Sequence, residues 1–100
     1  MRKIVLLCAA GMSTSMLVKK MQEEAGKMEY ACDIEAFPTS EATKQASNAD
    51  IILLGPQVRF AQNKIKQQCP GIPVEPIDMK LYGRMDGKGV LEFAKAHMGD

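Results

Sequence analysis

The sequence of 100 residues has no tryptophan and a single histidine. Proteins that bind single-stranded nucleic acid stack the bases on aromatic side chains, and this chain has only two tyrosines and three phenylalanines. Its formal net charge is +1, from 13 basic and 12 acidic residues, so the sequence predicts no strongly basic face. We therefore expect no nucleic-acid partner.

Long apolar runs and closely spaced cysteines are also missing. The apolar runs are too short to span a bilayer, and the one near the basic start of the chain soon meets Gly11 and a run of hydroxyls, which predicts a strand rather than a signal peptide. The three cysteines, Cys8, Cys32 and Cys69, form no CxxC pair. This spacing argues against a zinc or dithiol site and favours reduced thiols in a cytoplasmic protein.

The most informative stretch is residues 4–15, where an apolar strand leads through a loop of small residues into a helix. Backbone N–H groups of such a loop point at a ligand, and the helix N-terminus adds partial positive charge, so the pattern is typical of an anion site. Small side chains let the backbone approach the ligand closely. The predicted phosphate-binding loop consists of Ala9, Ala10, Gly11, Met12, Ser13, Thr14 and Ser15.

Cys8 stands at the entrance to this loop, directly after the apolar residues 4–7. The positive electrostatic potential that binds a phosphate also stabilises a thiolate, which is the nucleophilic form of cysteine. The alternative is a structural role, because free cysteines often only fill space in the core. We interpret Cys8 as a nucleophile that accepts a phosphoryl group.

Four apolar segments alternate with helical patterns along the chain, which predicts one α/β domain spanning residues 1–100. The strands are predicted at residues 4–7, 32–37, 50–54 and 72–77. We expect helices after the first loop, after Pro38 with Thr39 or Ser40 as its cap, from Gln57 to Gln68, and after Asp86. Residues 79–84 are expected to form a loop or a short turn.

The first and third strands are the most hydrophobic, so they are predicted to lie side by side in the middle of a parallel sheet. The order 2-1-3-4 follows, with helices on both faces in a doubly wound, three-layer sandwich. Ligands bind such sheets at the switch point beyond the carboxyl ends of the strands. Cys8 and the segment Gly55–Gln57 both fall at that point, which makes a purely structural Cys8 less plausible.

Cysteine phosphatases of low molecular weight share this fold class and use the pattern cysteine, five residues, arginine, serine or threonine. Counted from Cys8, the position of the arginine is taken by Thr14, and Ser15 follows. The guanidinium that would bind the phosphate bidentately is therefore missing. A loop of this kind is better suited to carry a phosphoryl group than to hydrolyse it, and a phosphatase or arsenate reductase remains the alternative.

Four segments of the sequence resemble one family: residues 7–15, 34–38, 49–58 and 81–87. The family is the enzyme IIB subunit of the bacterial phosphoenolpyruvate-dependent sugar phosphotransferase system, in its lactose/cellobiose/chitobiose group. The segments follow one another over nearly the whole chain, and the cysteine followed by Gly-Met-Ser-Thr-Ser is the most specific part. The resemblance implies a single IIB-type domain.

The resemblance also implies a mechanism and partners. Cys8 would become the phosphocysteine of a protein-phosphohistidine–sugar phosphotransferase. It would receive the phosphoryl group from a phosphohistidine of enzyme IIA and pass it to a sugar, such as cellobiose or chitobiose, held by the membrane enzyme IIC. The mechanism requires no metal or cofactor, and a monomer is expected. The donor histidine must belong to the partner, because the only histidine here, His97, is predicted on the surface of the last helix.

Three further residues are candidates for the rim of the phosphoryl pocket. Tyr82 matches a tyrosine that the family places near the pocket, and its alternative is a solvent-facing hydroxyl. Gln57 follows the third strand, and Arg59 could steer a phosphorylated partner or be an ordinary exposed side chain. Met12 and Met16 flank the loop, where they would form either an adaptable docking rim or part of the core.

Overall fold

The computed structural model describes residues 1–9 and 12–100. Its strands form one parallel sheet in the order β2-β1-β3-β4, as predicted. The elements, in chain order, are β1 (Arg2–Cys8), α1 (Met12–Lys27), β2 (Cys32–Pro38), α2 (Ala42–Gln45), β3 (Ile51–Leu54), α3 (Gln62–Gln68), β4 (Val74–Pro76), α4 (Met79–Gly83) and α5 (Gly87–Met98).

The two central strands are the ones whose side chains are apolar without interruption. Residues 4–7 of β1 and 51–54 of β3 are all fully buried, because helices cover both faces of the sheet. Alternate residues point to opposite faces: Ile4 and Leu6 pack in the layer of α1 and α5, whereas Val5 and Leu7 pack in the layer of α2 and α3. The predicted three-layer arrangement is confirmed.

Three local predictions are wrong. Neither Thr39 nor Ser40 caps a helix: residues 39–41 form a short 3-10 helix that follows Pro38 without any side-chain cap, and α2 begins only at Ala42. Residues 57–68 do not form one helix, since a 3-10 segment over residues 56–61 precedes α3 and Val58 has non-helical dihedral angles.

The third wrong prediction concerns residues 79–84, where the expected loop is the short helix α4. The Asp78 carboxylate accepts hydrogen bonds from the backbone N–H groups of Lys80 and Leu81 and so caps this helix. Asp86 caps α5 in the same way, as predicted, by accepting from the N–H of Gly89 at 2.9 Å.

The amino edge of the sheet, where the parallel strands begin, carries a charged cluster that we call the amino-edge clasp: Arg2, Tyr30, Asp50, Lys95 and Asp100. Arg2 donates through Nε and Nη2 to the Asp100 carboxylate, each at 2.9 Å, and its Nη1 lies 3.6 Å from Oδ1 of Asp50. The Tyr30 hydroxyl donates to Asp100, and Nζ of Lys95 lies 4.7 Å from the Tyr30 ring centroid. These contacts tie the end of α5 to the start of β1.

The clasp shifts the ionisation equilibria of its own residues, and the hydrogen bond to Asp100 raises the pKa of Arg2. The hydrogen bonds from Arg2 and Tyr30 lower the pKa of Asp100 to about 2. Burial and the hydrogen bond to Asp100 raise the pKa of Tyr30 to about 12. In the part of the chain that the structure describes, no helix is both long and apolar enough to cross a membrane.

Candidate active site

Cys8 is the last residue of β1, so its side chain lies at the carboxyl edge, where the parallel strands end. Both neighbours of β1 fix its position: Cys8 pairs with Pro38 of β2, and the N–H of Gly55, just after β3, donates to the Leu7 carbonyl at 2.9 Å. Only 3% of Cys8 is exposed, so its sulfur lies at the base of the site rather than on its rim.

The sulfur of Cys8 contacts a hydroxyl from the first turns of α1. Thr14 Oγ1 lies 3.2 Å from Cys8 Sγ, and Thr14 is completely buried although it is polar. Sequence reasoning assigned this hydroxyl to a bound anion or to helix capping. The structure places it 3.2 Å from the sulfur, across the six positions that separate the two residues, and a role toward an anion stays a prediction.

The structure describes only some of the remaining residues of the predicted loop. Ala9 and Ser15 are exposed at the carboxyl edge. Ala10 and Gly11 lie outside the described residues, as do the side chains of Met12 and Ser13, so the backbone donors predicted there stay a prediction.

Gly55 brings a side chain of the next loop close to Cys8. A β-carbon added to Gly55 would lie 3.5 Å from Cβ of Cys8 and 3.3 Å from Oε1 of Gln57. The Gln57 amide and the cysteine therefore face the same small space. The absence of a side chain at Gly55 keeps that space open.

The three predicted rim residues line one cleft at the carboxyl edge of the sheet. Its volume is about 360 Å³, and it lies between the 3-10 segment after β3 and helix α4. Arg59 is exposed and forms no ion pair with any described residue. The cleft is lined by Pro56, Gln57, Arg59, Met79, Tyr82 and Gly83.

Exposed apolar side chains surround this edge of the sheet. Met16, Phe60 and Met79 are 58%, 83% and 65% exposed, and they follow the ends of β1, β3 and β4. Core packing is therefore excluded for Met16, and its exposure fits the docking rim. Sequence reasoning missed Phe60 and Met79, because only the strand order shows that they share an edge with Met16.

The other chemistry-bearing residues lie outside the site. His97 is exposed, and its Nδ1 lies 3.0 Å from the Phe93 carbonyl in α5. Burial raises the pKa values of Cys32 and Cys69, so neither thiol is activated. Among the described residues no group of three potential metal ligands occurs. The Asp78 carboxylate caps α4.

Residues 3–93 match the family model of the "PTS system, Lactose/Cellobiose specific IIB subunit". The chain belongs to this IIB family. It is a sugar-specific IIB component of the phosphotransferase system, and such components act as phosphotransferases that work with IIA and IIC partners.

Curated relatives of this IIB chain match it over nearly its whole length. The oligo-β-mannoside-specific EIIB component of Bacillus subtilis is 40% identical, over 98% of this chain and 97% of the relative. Two components from Lactococcus lactis, one galactose-specific and one cellobiose-specific, are each 39% identical over 92% of both chains.

Solved structures of other IIB proteins share the fold. The cellobiose-specific IIB protein of Borrelia burgdorferi superimposes with a TM-score of 0.81 at 35% identity, covering 98% of this chain and 92% of that one. The lactose-specific IIB domain of Streptococcus pneumoniae gives a TM-score of 0.86 over 96% of both chains, and at 22% identity it supports the fold alone.

Proposed function

We propose that Cys8 is the phosphoryl carrier of this IIB component. The observation that carries the proposal is the position of its sulfur: at the carboxyl edge between β1 and β3, at the start of the loop, and 3.2 Å from the Thr14 hydroxyl. Gln57, which faces the space between Gly55 and Cys8, also lines an open cleft together with Arg59 and Tyr82. We propose that the whole chain acts as one IIB domain.

The first half-reaction loads the cysteine. The Cys8 thiolate attacks the phosphorus of a phosphohistidine on IIA, an S–P bond forms, and the N–P bond breaks with its electron pair left on the imidazole. Phosphoryl transfer depends mostly on positioning and on neutralising the oxygens of the phosphoryl group. Backbone N–H groups of residues 9–15 and the positive end of α1 supply that neutralisation.

The second half-reaction discharges the cysteine. A hydroxyl oxygen of the sugar on IIC attacks the phosphorus, an O–P bond forms, the S–P bond breaks with its electrons left on Cys8, and the hydroxyl proton leaves to solvent. No metal or cofactor takes part. Arg59 is exposed beside the cleft and is suited to attract the negatively charged phosphohistidine of the donor.

The sugar is a β-linked disaccharide such as cellobiose or chitobiose. Relatives named for cellobiose and oligo-β-mannosides, at about 40% identity, support this choice. The protein works as a cytoplasmic monomer that meets IIA and the membrane-embedded IIC in turn. A single exposed edge with one cysteine suits this alternation, because both partners reach the same sulfur.

Mass spectrometry of the intact protein tests the carrier role. After incubation with phosphoenolpyruvate, the general phosphotransferase proteins and IIA, the wild type gains one phosphoryl group and loses it when IIC and sugar are added. Cys8→Ser gains none and supports no sugar phosphorylation, because a neutral hydroxyl is a far weaker nucleophile than a thiolate. Its thermal unfolding midpoint stays close to that of the wild type, since the two side chains are nearly isosteric.

Two results would contradict the carrier role. Full sugar phosphorylation by Cys8→Ser would mean that the loop only binds an anion. Release of inorganic phosphate from a small aryl phosphate, without any adduct from phosphorylated IIA, would indicate a phosphatase instead.

A further inference from the structure

Thr14 is the one buried polar side chain among the core residues that the structure describes, and its hydroxyl contacts the Cys8 sulfur. We infer that Thr14 is a positioning residue, which donates a hydrogen bond to the Cys8 thiolate and holds its lone pair in line with the incoming phosphorus. This inference rests on the proposed carrier function and assigns Thr14 to the sulfur rather than to the phosphoryl oxygens.

The direction of the hydrogen bond follows from the chemistry of the two groups. A thiolate has no proton and can only accept, whereas a threonine hydroxyl has one proton to donate. The distance of 3.2 Å between Oγ1 and Sγ is short for a contact to sulfur. Hydrogen bonds to charged groups are stronger than those between neutral groups, so a donating Thr14 hydroxyl holds the thiolate sulfur firmly in place.

Burial fixes the geometry of the donor. Thr14 is 0% exposed, and a β-branched side chain in a helix has few χ1 rotamers available. Leu17 and Val18, the next buried residues of α1, anchor the same helix face in the core. The hydroxyl is therefore held toward the sulfur before any partner arrives, and no reorganisation is needed at the moment of transfer.

The hydrogen bond to sulfur has different consequences in the two half-reactions. In the first, the sulfur is the nucleophile, and in the second it is the leaving group, so it carries negative charge at the start of one step and at the end of the other. In the phosphocysteine the charge lies on the phosphoryl oxygens, and the contact to sulfur weakens. Stabilisation that grows as the S–P bond breaks lowers the barrier to discharge.

Two substitutions separate positioning from packing. Thr14→Val keeps the shape and removes the hydroxyl, whereas Thr14→Ser keeps the hydroxyl and removes the methyl group. If Thr14 has a purely structural role, Thr14→Val should be as stable and active as the wild type, and Thr14→Ser should be the less stable and less active variant. Positioning predicts the opposite order of activity, with Ser close to the wild type and Val strongly impaired, while Val loses no thermal stability.

The first readout needs no partner protein. Iodoacetamide alkylates Cys8 at a rate that depends on the thiolate, and the site of alkylation is verified by peptide mass spectrometry. At neutral pH we expect Thr14→Val to be alkylated at least about threefold more slowly than the wild type, because the sulfur is no longer held in position by the hydroxyl. Thr14→Ser should differ from the wild type by less than about twofold.

The second readout is the single-turnover rate at which the phosphorylated protein discharges to sugar on IIC. We expect Thr14→Val to be at least about tenfold slower at saturating IIC and sugar, and Thr14→Ser to recover most of the rate. Unchanged alkylation and transfer in Thr14→Val would overturn the inference.

Another result would also overturn the inference. Slow transfer with normal alkylation in Thr14→Val would assign the hydroxyl to the phosphoryl oxygens. The carrier function itself fails separately, if wild-type protein takes up no phosphoryl group. In that case, comparing the alkylation rates of Thr14→Val and the wild type still tests whether the Thr14 hydroxyl acts on the sulfur.

Discussion

The two edges of the sheet are built from different chemistry. At the amino edge, Arg2 and Asp100 pair with each other, and Tyr30 closes the clasp. At the carboxyl edge, Arg59 has no ion-pair partner among the described residues, and Met16 is one of three exposed apolar side chains. One edge satisfies its own groups, whereas the other keeps its groups available for another molecule.

This contrast agrees with the reaction that the chain is proposed to perform. A carrier must release each partner after every transfer, so its contact surface cannot be as large or as apolar as that of a permanent complex. Scattered methionine and phenylalanine side chains around a cationic cleft adapt to two partners without holding either tightly.

The largest effect is expected from placing a negative charge on the carboxyl edge. Met16→Asp should raise the KM for phosphorylated IIA about tenfold, because it removes apolar contact area and repels the phosphohistidine. Steady-state transfer assays measure this change. The matched control is Ala31→Asp, an exposed position at the amino edge, which should leave KM unchanged. Equal effects of the two substitutions would mean that the edges do not differ in docking.

A smaller effect is expected from filling the space beside the sulfur. The backbone of Gly55, with φ −57° and ψ 146°, suits alanine, but the added Cβ would press on Gln57 and contact Cys8. Gly55→Ala should slow phosphoryl transfer several-fold at saturating IIA, while the free energy of unfolding changes little. A rate equal to that of the wild type would show that the Gln57 amide and the space beside Gly55 do not matter.

The control for that substitution is Gly26→Ala in α1, where nothing lies within 4 Å of the new Cβ. It should not change the transfer rate, and it should stabilise the helix by up to about 1 kcal/mol. The pair separates a local steric effect at the carboxyl edge from a general effect of losing a glycine.

The smallest effect is expected at the amino-edge clasp. Folding lowers the pKa of Asp100 from 3.8 to about 2, so its stabilising contribution is present above pH 3.8 and is lost as the pH falls through 2. Asp100→Asn should lower the thermal midpoint by a few degrees at most at neutral pH, because the clasp is exposed to solvent. The difference between the variant and the wild type should shrink steadily as the pH approaches 2.

That measurement also checks the division between the edges. Phosphoryl transfer by Asp100→Asn should equal that of the wild type at neutral pH, and added salt should reduce the difference in midpoint. A transfer defect in this variant would show that the clasp and the site are coupled through the sheet.

The sheet order could be predicted from the sequence because β1 and β3 contain unbroken apolar runs. Such runs need cover on both faces, which only central strands have. The short helices could not be predicted as reliably. α4 depends on the Asp78 cap over only a few residues, and the region after β3 combines Pro56 with a buried Val58 whose burial overrides helical geometry.

At the site, sequence reasoning predicted Cys8 as the phosphoryl carrier and named three rim residues, Gln57, Arg59 and Tyr82, which line one cleft. It did not identify the contact of Thr14 with the sulfur. A hydroxyl in such a loop can face a ligand, the backbone or a neighbouring side chain, and only the rotation of α1 against β1 decides among them. The apolar face of α1 sets that rotation. The sequence shows which residues form this face, but it does not show the angle at which the helix packs on β1.

The salt bridge between Arg2 and Asp100 has a practical consequence for engineering. Because the side chains of these residues touch at 2.9 Å, a linker of a few residues could join residue 2 to residue 100, and the chain could be opened at an exposed turn, such as the one around Gly71. Any tag or second module attached at either end would project from the edge opposite Cys8. The chain is therefore well suited to fusion, since whatever is tethered there leaves the face that exchanges phosphoryl groups open to passing partners.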